Sequence, residues 1–150
     1  VTCFNAGDAY NVIPQSAKLR GTFRTLDPAV REEAEKRIRH VASNTAETFG
    51  AEAKVSVNRG YPVTMNHPDQ TDFAIEVASA VSGRGKVNPE VAPVMGGEDF
   101  SYMLEARPGA FIFMGNGDSA FLHHPEYDFN DDAIPHGVSY WVTLAERALA

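Results

Sequence analysis

Alternation of apolar and polar residues in the first 60 positions predicts three short strands. Residues 1–6 indicate a strand that ends at a Gly-Asp turn. Residues 17–25 place small and apolar side chains on one face and mostly basic or hydroxyl side chains on the other, which is typical of a half-buried strand. Residues 53–58 alternate in the same way, with alanine and valine on one side. With a helix between the second and third strands, this part predicts a small α+β layer.

That helix has clear start and stop signals. Asp27 is a favoured capping residue, Pro28 is favoured at the first helical position, and Gly50 is a favoured helix stop. Its mainly apolar positions recur at three- and four-residue steps and form one stripe: Val30, Ala34, Ile38, Val41, Thr45 and Phe49. Such a stripe is the face that a helix usually packs against a core.

The pattern changes at the sequence Arg-Gly-Tyr-Pro, residues 59–62, which we interpret as the boundary between two modules. Beyond it the spacing of apolar residues predicts three helices, at about 69–81, at 98–106 and from about Asp132 onward. The apolar run AFIFMG, residues 110–115, predicts a strand buried on both faces, as in a mainly parallel sheet. One such strand is too little sheet for a self-sufficient α/β core.

We therefore expect the missing strands upstream of Val1, so that this chain is a piece of a longer protein. The absence of an initiator Met and a start inside a predicted strand favour the same interpretation. Without those strands, apolar surface around Phe111, Ile112 and Phe113 would stay uncovered. We expect aggregation, a partner, or an additional N-terminal segment as the consequence.

Composition narrows the classes of function. The chain is 43% hydrophobic and 22% charged, which is typical of a globular protein, and its formal net charge is −7. That charge argues against a nucleic-acid partner, because phosphate binding needs a basic face. The single cysteine, Cys3, excludes an internal disulfide and a cysteine-rich metal site, and we expect it to be a buried small residue. No apolar run approaches the roughly 18 residues of a membrane span, and these residues contain no signal-peptide pattern, while the true N-terminus is not in view.

The loop FLHHPEYDFNDDAIPHG, residues 121–137, is the main candidate for chemistry. It follows the predicted buried strand, where ligands bind in open α/β sheets, so a histidine there is suited to metal or acid–base work. Consecutive side chains point apart, however, so His123 and His124 are not expected to hold one ion together. A single histidine cannot hold zinc, which takes about four ligands. These residues alone leave a metal site and an incidental surface loop equally open.

Three further polar clusters have ordinary structural explanations when each is taken alone. Asn11 can cap a turn, and Arg24 can lie on the wet face of its strand. The pair Gly96-Gly97 can mark a loop, and Glu98-Asp99 can be an acidic helix start that complements the helix dipole.

The four clusters together resemble a known family. NVIP, GTFRT, GGEDFSY and LHHPEYDFND occur in this order, from the first strand to the last helix. This set is similar to the zinc-dependent amidohydrolases and metallopeptidases that include hippurate hydrolase, N-acyl-amino-acid amidohydrolase and the plant auxin-conjugate hydrolases. The resemblance implies an α/β fold with residues 1–61 as most of a lid or dimerisation domain. Residues 62–150 would be the C-terminal part of a two-metal catalytic domain.

The resemblance also implies the metal chemistry. Family members bind two metal ions through a Cys, a Glu and three His, and a further Glu is the general base. Only the last of these ligands matches this chain, at His123, and we expect the others and the general base upstream. Cys3 does not match the metal cysteine, and His124 matches a variable position. The implied metal is Zn²⁺, with Mn²⁺, Co²⁺ or Ni²⁺ as alternatives.

The implied reaction is hydrolysis of an N-acyl amino acid by water activated between the two metals. Arg24 would grip the substrate carboxylate in a two-pronged fashion, Asn11 would add a hydrogen bond, and Gly97 and Glu98 would line the pocket. The resemblance further implies a homodimer formed through the lid and a fragment that is inactive alone. We expect no membrane partner and, by default, a cytoplasmic location.

Two alternatives remain at this point. The 150 residues can be a non-catalytic lid or dimerisation module, because an exposed sheet edge can pair with another chain. Alternatively, His123, His124 and Asp128 can form a separate transition-metal site.

Overall fold

A computed structural model describes all 150 residues and confirms a mixed α/β chain. Its elements are β1 (Cys3–Ala6), β2 (Ala17–Arg20), α1 (Pro28–Thr48), α2 (Pro68–Ser82), a 3₁₀ turn (Arg84–Lys86), α3 (Phe100–Ala106) and α4 (Ala133–Leu149). They divide into two compact units, residues 1–59 and residues 60–150. The interpretation of these units as a lid and a part of a catalytic domain stays a prediction. No helix is both long enough and apolar enough to cross a membrane.

In the first unit, β1 and β2 form an antiparallel two-stranded ribbon. Cys3 lies opposite Arg20, and Ala6 lies opposite Ala17. Every residue of both strands is exposed, and no helix packs on the ribbon. The prediction that Cys3 is buried is therefore wrong, because nothing in this chain covers its position. The second strand is also shorter than predicted and ends at Arg20 rather than residue 25.

Helix α1 begins and ends as its sequence signals predict. The carboxylate of Asp27 accepts hydrogen bonds from the backbone N–H groups of Ala29 (2.7 Å) and Val30 (3.0 Å), which otherwise lack partners inside the helix. Gly50 adopts a left-handed φ of 71° just past the C-terminus, where glycine has no steric penalty. The apolar stripe, however, is exposed, with Phe49 at 83%, because neither strand of the first unit packs against α1.

Two predicted strands, 53–58 and 110–115, are not strands in the structure. Residues 53–58 keep an alternating pattern of half-buried and exposed side chains but have no ladder partner. Residues 112–115 are exposed, with Phe113 at 65%, so the prediction of a strand buried on both faces is wrong. A strand needs a neighbour to satisfy its backbone groups, and the only paired strands of this chain are β1 and β2.

The core of the second unit lies among its helices. Helix α2 packs against α4 and against the 3₁₀ turn. The buried residues come from all three helices: Ala74 and Val77 of α2, Ser101 and Leu104 of α3, and Ala133 and Tyr140 of α4. Burial raises the pKa of Tyr140, because the desolvated phenolate is disfavoured. This small core positions the segments that carry the second unit's candidate site residues.

Candidate functional site

His123 lies in a turn between residue 116 and helix α4 and has an unusual backbone conformation. Its φ of 70° makes it the only non-glycine residue of the chain with positive φ. For a residue with a Cβ such a conformation costs on the order of 1–3 kcal/mol, and it persists only where the surroundings hold it. Its side chain is exposed and makes no hydrogen bond to the protein. The His123 ring is therefore available to an external partner.

His124, in contrast, is hydrogen-bonded to other residues of the same loop. Its Nδ1 accepts a hydrogen bond from the backbone N–H of Glu126 at 3.1 Å, so one of its two ring nitrogens is occupied. Its backbone N–H donates to the carbonyl of Phe121, and its own carbonyl accepts from the N–H of Tyr127, both at 3.0 Å. These bonds form two consecutive turns. The two adjacent histidines therefore have different roles in the structure, and His123 is the one with an unengaged ring.

The acidic residues of the loop do not assemble a metal site. Asp128 and Asp131 line a shallow polar hollow with Asn116, Ser119 and Asn130. No group of three His, Cys, Asp or Glu side chains in the chain converges closely enough to hold a metal ion. The alternative of a separate site formed by His123, His124 and Asp128 is therefore wrong. For the same reason the residues of this chain do not form a two-metal site among themselves, and the role of His123 as one metal ligand stays a prediction.

Gly97 and Glu98 lie before helix α3. A Cβ at Gly97 would come within 3.6 Å of Tyr61, an ordinary contact, so the local packing does not by itself require glycine there. The backbone carbonyl of Glu98 accepts hydrogen bonds from the backbone N–H of Ser101 (3.2 Å) and from its buried hydroxyl. Glu98 thus contributes its backbone carbonyl just before the N-cap residue Asp99, and its side chain stays exposed.

Asn11 and Arg24 belong to the first unit. Asn11 lies in an exposed turn next to Val12, whose N–H donates to the carbonyl of Ala9 at 3.5 Å. Arg24 follows β2 and is exposed, without an ion pair to a carboxylate. No hydrogen bond or ion pair joins Asn11 to Arg24, and none joins Glu98 to His123. The assignment of these residues to a substrate site stays a prediction.

Sequence reasoning missed two asparagines that tie the second unit together. The Asn66 side chain donates to the carbonyl of Phe111 at 2.8 Å and accepts from its N–H at 2.7 Å. The Asn116 side chain accepts from the N–H of Asn130 at 2.8 Å and donates to the carbonyl of Asp128 at 2.7 Å. The available signal was their position: one amide precedes a proline-initiated helix, and the other directly follows the apolar run.

A third missed cluster holds the first unit together. One oxygen of Glu35 accepts two hydrogen bonds from the Arg39 guanidinium at 3.3 and 3.0 Å, and the other accepts one from Arg59 at 3.2 Å. Arg39 also donates to the carbonyl of Val55 at 2.7 Å. The hydrogen bonds from Arg39, opposed by desolvation and aided by Arg59, hold the pKa of Glu35 below its ordinary value. This cluster fixes the extended segment 53–59 to helix α1.

Comparisons with known proteins agree with the resemblance seen in the sequence. The family model of peptidase family M20/M25/M40 matches residues 6–147. The chain is 34% identical over 149 residues to a hippurate hydrolase of Campylobacter jejuni, covering 99% of this chain and 39% of that protein. It is 36% identical over 137 residues to an N-acetyldiaminopimelate deacetylase of Enterococcus faecalis, covering 90% of this chain and 35% of that protein.

A solved structure has the same fold over nearly the whole chain. It is the YXEP protein of Bacillus subtilis, a dinuclear metal-binding peptidase from the M20 family. The two superpose with a TM-score of 0.82 at 33% identity, covering 99% of this chain and 40% of the other. The chain thus spans about two fifths of the length of these relatives.

Proposed function

Because the chain belongs to peptidase family M20/M25/M40, we propose that it is part of a metal-dependent hydrolase that cleaves the amide bond of N-acyl amino acids. The observation that carries the proposal is the state of His123. Its ring is exposed and unengaged, on a backbone held in a left-handed conformation. By the family resemblance, His123 is one metal ligand, and the remaining ligands and the general-base glutamate come from residues outside these 150.

The other site residues follow from the chemistry of the substrate. An N-acyl amino acid carries a free carboxylate, and the planar guanidinium of Arg24 can donate two parallel hydrogen bonds to it. Arg24 is suited to this task because its side chain is exposed and forms no ion pair within the chain. The Asn11 amide would add a hydrogen bond, and Gly97 and Glu98 would line the pocket. The metal, when bound, would supply an activated water near neutral pH.

The 150 residues alone are proposed to be inactive. Their ligand set is incomplete, and the curated relatives named above are more than twice as long. One relative is named a hippurate hydrolase and another an N-acetyldiaminopimelate deacetylase, so both benzoyl and acetyl substrates belong in the assay. Zn²⁺ is the proposed metal, and Mn²⁺, Co²⁺ and Ni²⁺ are alternatives that the assay should include.

A chimera provides the test. The matching 39% of the Campylobacter jejuni hippurate hydrolase is replaced by this chain, and folding is checked by a cooperative thermal transition. The chimera is loaded with each metal in turn and given N-benzoyl and N-acetyl amino acids, and the release of free amino acid is measured. We expect hydrolysis by the chimera, loss of at least about a thousandfold in His123→Ala, and a much smaller loss, about tenfold at most, in the neighbouring His124→Ala, which removes only a hydrogen bond within the loop.

Two results would contradict the proposal. A folded, metal-loaded chimera without activity on any N-acyl amino acid would exclude the proposed substrate class. Full activity in His123→Ala would exclude His123 as a ligand. Arg24→Lys separates the substrate grip from the metal site, because it keeps the charge but loses the paired geometry, so KM should rise more than kcat falls.

A second candidate function is subunit association through the first unit. The two-stranded ribbon leaves one edge of each strand unpaired, and the apolar stripe of α1 is exposed. Either feature can pair with a second copy. Sedimentation velocity tests it: Val41→Lys on the stripe should shift a dimer towards monomer, and Glu32→Lys, at an exposed position on the opposite side of α1, should not. A monomer in the wild-type chain would exclude this candidate.

A further inference from the structure

The loop that carries His123 is closed at its base by one side chain. Asn116 stands at the start of the loop and is half-buried. Its Oδ1 accepts a hydrogen bond from the backbone N–H of Asn130 at 2.8 Å. Its Nδ2 donates to the carbonyl of Asp128 at 2.7 Å and to the hydroxyl of Ser119 at 3.1 Å. A primary amide has about four hydrogen-bonding positions, so this one is nearly fully used.

These bonds connect points that are far apart along the chain but close in the fold. They join position 116 to positions 128 and 130, and His123 lies midway between the two ends. Between them the loop contains only two tight turns, centred near His123 and Pro125. Without the Asn116 side-chain amide, segment 116–130 would be a long exposed loop whose two ends are connected only through the backbone. Closing such a loop removes much of its conformational freedom.

The three side-chain hydrogen bonds of Asn116 to Ser119, Asp128 and Asn130, here called the clamp, are also connected to the helical core. The side chain of Asn130 accepts from the N–H of Asp132 at 3.0 Å, and its carbonyl accepts from the N–H of Ala133 at 2.9 Å. Ala133 is buried and begins helix α4, which packs against α2. Gly117 allows this approach, because its φ is 83° and a Cβ there would meet the Asn130 side chain at 3.3 Å. Asn116 thereby fixes the loop to a rigid element.

From this geometry we infer that Asn116 is the positioning residue of His123. The left-handed backbone of His123 needs surroundings that hold it, and Asn116 supplies the only side-chain bonds that link both ends of the loop. The inference rests on the proposed function in one respect: the position of His123 matters for catalysis only if His123 binds metal. The clamp itself is a property of the chain that can be measured without metal or substrate.

The first arm of the test uses the chimera described above, without metal or substrate, and measures amide hydrogen exchange and the imidazole NMR signals. Asn116→Ala should speed exchange at Asn130 about tenfold and should also speed it at His124 and Tyr127. It should move the His123 ring signals, identified by their loss in His123→Ala, towards those of an unstructured histidine. Asn116→Asp keeps the acceptor for Asn130 but turns a carboxylate oxygen towards the carbonyl of Asp128, so it should also speed exchange at Asn130.

Asn88→Ala is the matched control. Asn88 lies in the same unit, and its side chain also accepts a backbone N–H, that of Glu90 at 3.0 Å, in an exposed turn remote from the loop in sequence. It should leave the exchange at Asn130 and the His123 signals unchanged. Unchanged loop exchange and His123 signals in Asn116→Ala would overturn the clamp, whatever the outcome for catalysis.

The second arm uses the chimera described above. With Asn116→Ala, kcat should fall about tenfold while KM stays close to its original value, because the substrate grip is elsewhere. Wild-type kcat with a loosened loop would overturn the positioning role. If the loop loosens in the first arm but His123→Ala leaves the chimera active, the clamp stands and the proposed function fails.

Discussion

The Asn66 side chain offers a sharp test of how the apolar run 110–115 is held in place. Its amide makes both hydrogen bonds that a neighbouring strand would make with Phe111: it donates to the carbonyl at 2.8 Å and accepts from the N–H at 2.7 Å. Next to it, His67 donates its backbone N–H to the carbonyl of Gly109 at 3.0 Å. We predict that Asn66→Ala releases Phe111 and destabilises the second unit.

The magnitude follows from the two lost bonds. Each contributes roughly 0.5–1.5 kcal/mol net, so their removal should cost about 2 kcal/mol in the free energy of unfolding. For a unit of this size that corresponds to a fall in Tm on the order of 10 °C. The same loss should speed exchange of the Phe111 amide roughly thirtyfold.

Urea unfolding followed by circular dichroism gives the free energy, and NMR-detected exchange gives the local effect at Phe111. Asn88→Ala, which removes an asparagine from an exposed turn, should change the free energy by less than about 0.5 kcal/mol. Unchanged exchange at Phe111 in Asn66→Ala would refute the reasoning, because the amide would then contribute nothing to holding the run. Equal losses in Asn66→Ala and Asn88→Ala would show that the effect is not specific.

Three further predictions concern packing and charge. Val77→Ala should lower the free energy of unfolding by about 2 kcal/mol, because Val77 is 0% exposed, while Val138→Ala, at 57% exposure, should have little effect; equal costs in urea melts would contradict the assigned core. The pKa of Glu35 is lowered, chiefly by its hydrogen bonds from Arg39, so its stabilisation is present above the ordinary value of 4.5 and is lost as pH falls through the lowered value. Glu35→Gln should flatten the acid limb of the stability profile, and an unchanged limb would argue against the ion-pair cluster. Burial raises the pKa of Tyr140, so its contribution is present below the ordinary value of 10.0 and is lost as pH rises through the raised one. Tyr140→Phe should remove that alkaline loss in unfolding measured from pH 9 upward, and a persisting loss would assign it to another group.

The helices could be predicted from the sequence because their signals are local. The Asp27-Pro28 start and the Gly50 stop of α1 lie within a few residues of the groups they satisfy. The predicted strand at 110–115 failed for the opposite reason. A strand is defined by a partner, and an apolar run indicates only that a residue could be buried, not that this chain supplies the neighbour. The same limit explains why the stripe of α1 is a real pattern and yet lies in solvent.

The candidate site, too, could be predicted only where its sequence signal is local. The resemblance to the family is confirmed, and it pointed to His123 through a local motif. The hydrogen bonds of Asn116 and Asn66 were missed because they connect residues far apart in sequence. The sequence around each asparagine carries no signal that identifies its distant partner. His124 shows that a motif alone does not distinguish between neighbours: its ring caps a turn, whereas the ring of His123 is unengaged.

Together, the two asparagines explain how the second unit keeps an extended segment in place without a sheet. Asn66 holds the beginning of the apolar run, and Asn116, directly after its end, holds the loop that leads to α4. Between them Phe113 stays in solvent, so the run is anchored at both ends and open in the middle. If further strands are supplied, as the proposed hydrolase requires, the run can gain ladder partners without displacing either anchor. By the positioning inference, the position of His123 would then depend on side-chain amides of this chain, so its loop can be tested without metal.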